Sequence, residues 1–155
     1  MKIALGTDHA GLELKREIAV FLADLGHQVT DVGAIDFNPI DDYPDFAAAV
    51  AHEVAVGNVE RGLLVCGSGV GSSIAANKVV GVRAAMCHDT YSAHQGVEHD
   101  DMNVLCIGAR IIGIELAREL IVGYLGARFS GDERHVRRLN KVKAIEASGL
   151  AASRT

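Results

Sequence analysis

Short apolar runs alternate with segments of helical periodicity along most of the chain. The apolar runs are predicted to be strands, because they are short and end at glycine or polar residues. After the first run, apolar side chains recur from Leu14 to Leu25 at the spacing of one helix face, and Gly26 ends that pattern. The predicted strands are residues 2–6, 28–32, 62–66, 82–87 and 103–107.

Helical patterns follow most of these strands. They are predicted over residues 45–56, from the glycine-rich loop 67–71 through residue 77, over 114–125, and at the C-terminus over about 132–147. Nearly continuous apolar strands separated by helices indicate a parallel sheet that is covered on both faces. The prediction is therefore an α/β fold, a doubly wound, Rossmann-like three-layer sandwich with a five-stranded parallel sheet. Its ligand site should lie at the carboxyl ends of the strands.

The length of 155 residues fits one domain spanning 1–155. A net charge of −5 makes a broad surface for nucleic acid or membrane unexpected. The three cysteines are far apart in the sequence, which argues against a disulfide framework and is typical of a reducing compartment. Asp8 and His9 interrupt any signal-peptide core, and no apolar run approaches the ~20 residues of a membrane helix. We expect a cytoplasmic protein.

The strongest chemical signal is the sequence CGSGVGSS, which begins at Cys66 and joins a buried strand to a helix. Glycines let several N–H groups converge, and the helix N-terminus adds partial positive charge. Such a site stabilises an oxyanion, and the same field is expected to lower the pKa of the Cys66 thiol. The alternative is a tight turn behind a buried cysteine. Neither dinucleotide-binding nor P-loop spacing is present, and Cys87 and Cys106 are interpreted as core residues.

Other polar residues follow the predicted strands. Asp8 and His9 come after the first strand and Arg110 after the fifth, so the fold rule places them at the edge that carries Cys66. Asp8 could instead cap the first helix, and His9 could be an ordinary surface residue.

Two further groups lie late in the chain. His99, with Asp100 and Asp101, is either a general acid–base group in a loop or a solvated turn, and its spacing from other histidines does not indicate a metal site. Arg134 and Arg138 are four residues apart on one helix face, which suits a phosphate, although a solvated basic face is the alternative.

Taken together, these segments resemble the ribose-5-phosphate isomerase B family of sugar-phosphate isomerases. The matching stretches are GTDHAG near the N-terminus, DYPDFA, VCGSGVGSSIAANK, HDDMNVLCIGARIIG and ERHVRRLNKVKAIE. They cover nearly the whole chain in order. The resemblance implies an aldose–ketose isomerase that acts without metal or other cofactor, typically between ribose 5-phosphate and ribulose 5-phosphate.

The resemblance also implies roles for individual residues. Cys66 would be the base that moves a proton between C2 and C1, Ser68 would assist it, and His99 would open the furanose ring. The residues implied to bind substrate are Asp8, His9, Tyr43, Gly67, Gly69, Val70, Gly71, Asp100, Arg110, Arg134 and Arg138. Among them, the amides of residues 67–71 would receive the enediolate oxygen. His9 and the three arginines would bind the phosphate.

The chain differs from the family pattern at position 100. At the position of the base, it matches one of two branches of the family. A second branch carries a glutamate base later in the loop, where this chain has Ser72, so the chain follows the thiol branch. Many members have Asn where this chain has Asp100, which cannot donate an N–H to an oxyanion when ionised. This puts the sugar in question: allose 6-phosphate, galactose 6-phosphate and erythrose 4-phosphate are alternatives. A non-catalytic sugar-phosphate-binding protein is the alternative from another class.

The family implies a homodimer or homotetramer. Its site lies between subunits, and the C-terminal helix packs on a neighbouring copy.

Overall fold

The computed structural model describes residues 1–152, and side chains through residue 149. A five-stranded, wholly parallel sheet forms its centre, in the order β2-β1-β3-β5-β4. The strands are β1 (Lys2–Thr7), β2 (Gln28–Asp31), β3 (Arg61–Cys66), β4 (Ala84–Met86) and β5 (Val104–Gly108). The helices are α1 (Leu12–Asp24), α2 (Tyr43–Ala55), α3 (Val70–Ala76), α4 (Thr90–Asp100), α5 (Ile114–Gly126) and α6 (Glu133–Ala152). The predicted doubly wound sandwich is confirmed.

Alternate side chains of the central strands enter two separate apolar clusters, as expected of a sheet that is buried on both faces. Ile3, Leu63 and Leu105 point to the face covered by α1, α4 and α5. Leu64 and Cys106 point to the face covered by α2 and α3. Cys87 also lies in the core, so both cysteines predicted to be core residues are buried.

The largest difference from the sequence prediction is α4, an 11-residue helix for which no element was predicted. It carries His99 in its last turn, so the predicted loop position of His99 is wrong. The Asp89 side chain caps the helix by accepting from the Ser92 amide at 2.7 Å. Only Ala93 and Val97 are buried, which leaves too little apolar periodicity to predict the helix.

Several boundaries also differ. β4 is three residues long, not the six predicted. The Arg83 amide, just before it, donates to the Asn103 side chain, and the amide of its first residue, Ala84, donates to the Asn77 side chain. Helix α2 begins at Tyr43, two residues earlier than expected, since Pro44 is accommodated in the first helical turn. Helix α6 runs over Glu133–Ala152, beyond the predicted end at about residue 147.

The strand order reverses between β1 and β3, which makes their carboxyl ends the switch point of the sheet. From β1 the chain moves to β2 on one side, and from β3 it moves to β4 and then to β5 on the other. The loops that leave β1 and β3 therefore diverge and open a crevice, the usual ligand position in doubly wound sheets.

Candidate active site

A cleft of about 360 Å³ opens at this switch point. Its walls come from the loops after β1, β3 and β5 and from the start of α2. The lining residues are Asp8, His9, Ala10, Tyr43, Cys66, Gly67, Ser68, Gly69, Gly71, Ser72, Arg110 and Ile111. Nine of the residues predicted from the sequence are therefore brought together within one chain.

The loop between β3 and α3 is a nest of unpaired amides. Within residues 1–152, the N–H groups of Gly67, Ser68, Gly69, Gly71 and Ser72 have no acceptor in the protein. They lie at the N-terminus of α3, where the helix dipole adds positive potential. The arrangement can stabilise an oxyanion in the cleft.

At two positions of the nest, the structure requires a glycine. Gly69 has φ +81°, in the left-handed region, and a Cβ there would lie 3.1 Å from the carbonyl carbon of Ile107. A Cβ on Gly71 would lie 2.6 Å from Cζ of Tyr43, so the tyrosine ring covers this glycine. The nest and the position of Tyr43 therefore depend on each other.

Ser68 and Val70 differ in their access to the cleft. Ser68 is exposed and lines it. The amide of Val70 donates to the Ser68 hydroxyl at 3.4 Å, a long hydrogen bond, and so differs from the free amides around it. The side chain of Val70 is 46% exposed and is not part of the cleft wall.

The thiol of Cys66 does not behave as the sequence predicted. Burial raises its pKa to about 11, and the carboxylates of Asp8 and Asp41 raise it further, against a lowering contribution from the Ser72 hydroxyl. The expected lowering by the nest is therefore wrong for the isolated chain. Cys66 is 5% exposed, and removal of the thiolate from water outweighs the helix dipole.

Asp8 has a capping contact and also faces the cleft, although the element it caps is a short turn before α1, not α1 itself. Its carboxylate accepts from the Ala10 amide at 3.1 Å and caps a short 3₁₀ turn over His9–Gly11. The same carboxylate lines the cleft and is largely buried. Capping the turn holds it in place beside Cys66.

His9 is held by Asp41, a residue that the sequence did not indicate. The His9 ring Nδ1 lies 2.5 Å from Asp41 Oδ1, and the His9 amide donates to Asp41 Oδ2 at 2.9 Å. The Asp41 side chain is only 8% exposed, although it belongs to a polar loop. The two bonds fix the imidazole at the cleft, where its protonated form can bind an anion.

Arg110 reaches the cleft from the loop after β5. The Ala109 amide donates to the carbonyl of Cys66 at 2.8 Å, and the Arg110 amide donates to the carbonyl of Gly67 at 3.0 Å. These bonds tie the arginine loop to the nest. The guanidinium lies close to Gly67, so a positive charge faces the cleft.

Four predicted site residues lie elsewhere in the chain: His99, Asp100, Arg134 and Arg138. Helix α4 starts after the carboxyl end of β4 and ends just before β5 begins. Its last turn therefore lies at the amino edge of the sheet, roughly 15 Å or more from the nest at ~3.3 Å per strand residue. Helix α6 contacts α4, and Arg134 and Arg138 are exposed in its first two turns. One chain does not bring these four residues to Cys66.

His88 and Asp101, which lie near these elements, have structural partners. His88 Nε2 accepts from the Gly108 amide at 3.0 Å, and Asp101 pairs with Arg83 at 2.7 Å. Among the described residues, no group of three or more His, Cys, Asp or Glu side chains is placed to hold a metal ion. Nor does any described helix have the length and apolarity to span a membrane.

Comparison with known proteins identifies the family. The model of the ribose/galactose isomerase family matches residues 3–142. The chain belongs to this family. It is 46% identical to ribose-5-phosphate isomerase B of Escherichia coli over 145 residues, 94% of this chain and 96% of that protein. It is equally identical to a D-erythrulose-4-phosphate isomerase of Pectobacterium atrosepticum, over 84% of this chain and 86% of that protein.

Solved structures agree with the sequence relatives. The structure of ribose-5-phosphate isomerase B from Clostridium thermocellum superposes with a TM-score of 0.92 at 47% identity, over 96% of this chain and 99% of that chain. The Mycoplasma genitalium enzyme, solved with bound ribulose 5-phosphate, has a TM-score of 0.90 at 39% identity, over 94% of this chain and 96% of that chain. Family membership makes the chain a sugar-phosphate isomerase of the aldose–ketose type.

Proposed function

We propose that the chain interconverts ribose 5-phosphate and ribulose 5-phosphate through an enediolate. The observation that carries the proposal is a buried thiol beside a nest of unpaired amides, at the switch point of the sheet. A C–H next to a carbonyl is a weak acid, so this isomerisation needs a base together with donors for the oxyanion. Relatives named as ribose-5-phosphate isomerase B support the choice of substrate.

In this proposal Cys66 removes the proton from C2 as a thiolate and returns it at C1. The negative charge that develops on the carbonyl oxygen is received by the amides of the nest, and loss of one such donor typically costs ~10²–10³ in rate. Ser68, whose hydroxyl lines the cleft, assists the transfer of protons between the two oxygens. Asp8 and Tyr43 orient the sugar. No metal takes part.

The phosphate is bound by positive charge from two directions. His9, supported by Asp41, and Arg110 face the cleft from the chain that provides Cys66. Arg134 and Arg138 lie one turn apart on α6 and present two guanidiniums on one face. Phosphate held away from C2 positions the reacting carbon beside the thiol.

The site is composed of two copies of the chain. His99, Asp100 and the α6 arginines lie at the amino edge of the sheet, whereas Cys66 lies at the carboxyl edge, so they cannot act on one sugar within one chain. A second copy supplies them, with its α6 packed over the cleft of the first. Exposed apolar side chains on α6, Val142 and Ile145, support this packing. The assembly is a homodimer or a dimer of dimers, located in the cytoplasm.

His99 opens the sugar ring in this scheme. It moves a proton from the C1 hydroxyl toward the ring oxygen, which produces the open-chain aldehyde that Cys66 can act on. A histidine is suited to this step because it gains and loses protons near neutral pH.

A second candidate substrate is a four-carbon sugar phosphate. The relative named D-erythrulose-4-phosphate isomerase is 46% identical, as similar as the relative from Escherichia coli. Asp100 leaves the identity of the sugar open, because an ionised carboxylate offers no N–H to an oxyanion.

The experiment is isomerisation of a panel of sugar phosphates by the purified protein in EDTA, with Cys66→Ala beside the wild type. We expect ketose formation from ribose 5-phosphate, loss of at least ~10³ in turnover for Cys66→Ala, and substrate affinity within about tenfold. Cys87→Ala, at another buried thiol, is the matched control and keeps its activity. Full turnover by Cys66→Ala would contradict the base. Turnover of erythrose 4-phosphate alone would establish the second candidate.

A further inference from the structure

Two histidine rings are stacked at the amino edge of the sheet. The ring centroids of His99 and His135 are 4.0 Å apart, and their planes are inclined by 29°. His99 lies in the last turn of α4 and His135 in the first turn of α6. His135 is 1% exposed, whereas the His99 side chain is 27% exposed. A buried imidazole therefore supports one face of a ring that reaches solvent.

Each ring is fixed by a hydrogen bond at its Nδ1 atom. The Gln95 side-chain amide lies 2.8 Å from Nδ1 of His99, one helical turn earlier. The Ser130 hydroxyl lies 2.7 Å from Nδ1 of His135, and the Ser130 amide donates to the carbonyl of Glu98 at 2.9 Å. Because the Gln95 nitrogen donates, His99 accepts at Nδ1, and this assigns its proton to Nε2.

Packing alone does not account for an imidazole at position 135. Its Nε2 atom is buried and has no hydrogen-bond partner among the described residues. An unpaired buried polar atom costs about 1–3 kcal/mol, which an apolar side chain of similar size avoids. The site described above makes no use of His135, so the reason for this ring must lie in what it touches.

We propose that His135 is a positioning residue that holds His99 in the orientation and tautomer needed for opening the sugar ring. This inference rests on the proposed function of His99. The stack restrains rotation of the His99 ring about its side-chain bonds, and the Gln95 bond selects Nε2–H as the donor. His99 is then already ordered when the sugar binds. A positioned acid–base group of this kind avoids the entropic cost of becoming ordered during the reaction.

The charge of His135 is compatible with this function. Burial lowers its pKa, and His99, Arg134 and Arg138 lower it further, against Asp132. A neutral His135 leaves His99 free to carry a proton during the reaction without a second positive charge against its face. The Oε2 atom of Glu98 lies 3.8 Å from Nε2 of His99, on the solvent side of the stack.

The stack also links phosphate binding to the support of His99 in the second copy. Arg134 directly precedes His135, and Arg138 follows one turn later on α6. The arginines that bind phosphate and the ring that supports His99 are thus on one rigid helix. A sugar phosphate bound by α6 therefore has a fixed position relative to the His99 ring.

The test uses a property of the two substrates. Ribulose 5-phosphate cannot form a furanose ring, because its C5 oxygen carries the phosphate, whereas ribose 5-phosphate is mostly cyclic. An enzyme unable to open the ring uses only the free aldehyde. Its rate with ribose 5-phosphate stops rising with enzyme concentration once spontaneous ring opening becomes limiting. Its rate with ribulose 5-phosphate stays proportional to enzyme.

His135→Ala loses part of the ~10²–10⁴ of acid–base catalysis, so we expect its rate curve with ribose 5-phosphate to bend, at high enzyme concentration, to a slope roughly ten- to hundredfold below wild type. His135→Phe, which keeps a ring in the stack, restores proportionality. Val136→Ala, the neighbouring and partly exposed position, is the control and behaves as wild type. Proportional rates for His135→Ala, or levelling for both variants, would overturn the inference.

A measurement that does not depend on enzyme turnover distinguishes this inference from the proposed function. In ¹⁵N spectra of the histidine rings, wild-type His99 shows the Nε2–H tautomer, and His135→Ala shows an average of both tautomers. Unchanged His99 signals in His135→Ala would refute the positioning function whatever the activity. If the signals change while wild-type protein converts neither pentose phosphate, the proposed substrate is wrong and the stack still orders His99.

Discussion

At the scale of single residues, the proposed base is a thiol that is hard to ionise. The pKa of Cys66 is raised to about 11 by burial and by nearby carboxylates. At pH 7 roughly one chain in 10⁴ then carries the thiolate, which corresponds to about 5 kcal/mol. The compensating advantage is that a thiolate of high pKa is a stronger base toward carbon. In the proposed reaction, the amides of the nest offset the cost only when the enediolate oxygen forms beside them.

This pKa gives a prediction for the pH dependence of the reaction. The deprotonated form is the active one, and a raised pKa moves its population to higher pH, so kcat/KM should rise about tenfold per pH unit from 7 toward 10. The measurement is kcat/KM for ribulose 5-phosphate, alongside the rate of Cys66 alkylation by iodoacetamide resolved by mass spectrometry. A plateau in both by about pH 8 would contradict the raised pKa.

Individual residues also show how far the sequence leads. Cys66, Asp8, His9 and Arg110 could be placed at one edge because each ends a strand or follows one within two residues. Asp41 could not, because it lies in a loop whose path no periodicity describes, and only the folded chain brings it to His9. The Cys66 pKa was predicted in the wrong direction, since the helix dipole is visible in a sequence whereas desolvation is not.

At the scale of elements, the nest and helix α2 determine each other's geometry. Tyr43 is the first residue of α2, and its ring lies over Gly71 in the first turn of α3. A methyl group at Gly71 would lie 2.6 Å from the ring and displace it. Alanine is otherwise favourable in a helix, by up to ~1 kcal/mol, so stability should change little.

Gly71→Ala is therefore expected to lower kcat/KM about tenfold while the melting temperature stays within a few degrees. If the loss acts through the tyrosine, Gly71→Ala should cost little more in a Tyr43→Ala background, which a double-mutant cycle measures. Gly113→Ala is the control, since a Cβ at this position would meet no atom within 4 Å and the backbone φ is −88°. Additive losses would exclude Tyr43 as the intermediary.

The elements were predictable where burial imposes a pattern. All five strands were found in order, although β2 is mostly exposed. The central strands β1, β3 and β5 were the clearest, because strands buried on both faces are nearly continuously apolar. Helix α4 was missed, since it buries only two side chains and carries a glycine at position 96. The sequence feature that could have indicated this helix is the capping pair of Asp89 and Ser92. So short a feature is equally typical of a turn.

At the scale of the whole molecule, the fold separates the two halves of the chemistry. The base and the nest lie at the carboxyl edge of the sheet, and His99 with the α6 arginines lies at the amino edge. The two edges lie at opposite ends of the sheet, so in the proposed arrangement a second copy brings its amino edge to the first copy's cleft. The sequence suggests this only through family resemblance, because no pattern along one chain encodes which surfaces meet.

Complementation between two inactive chains tests this arrangement. One chain carries Cys66→Ala, and the other carries Arg134→Ala together with Arg138→Ala. When the two are co-expressed with different tags, a mixed dimer contains one site with the intact Cys66 of one chain and the intact arginines of the other. Its second site carries all three changes.

We expect purified mixed dimers to have about half the wild-type activity, although each parent alone is nearly inactive. If each site belonged to one chain, the mixed dimers would be no more active than the mean of the two parents. A mixed dimer of two Cys66→Ala chains with different tags is the control, and its activity stays at the level of that parent.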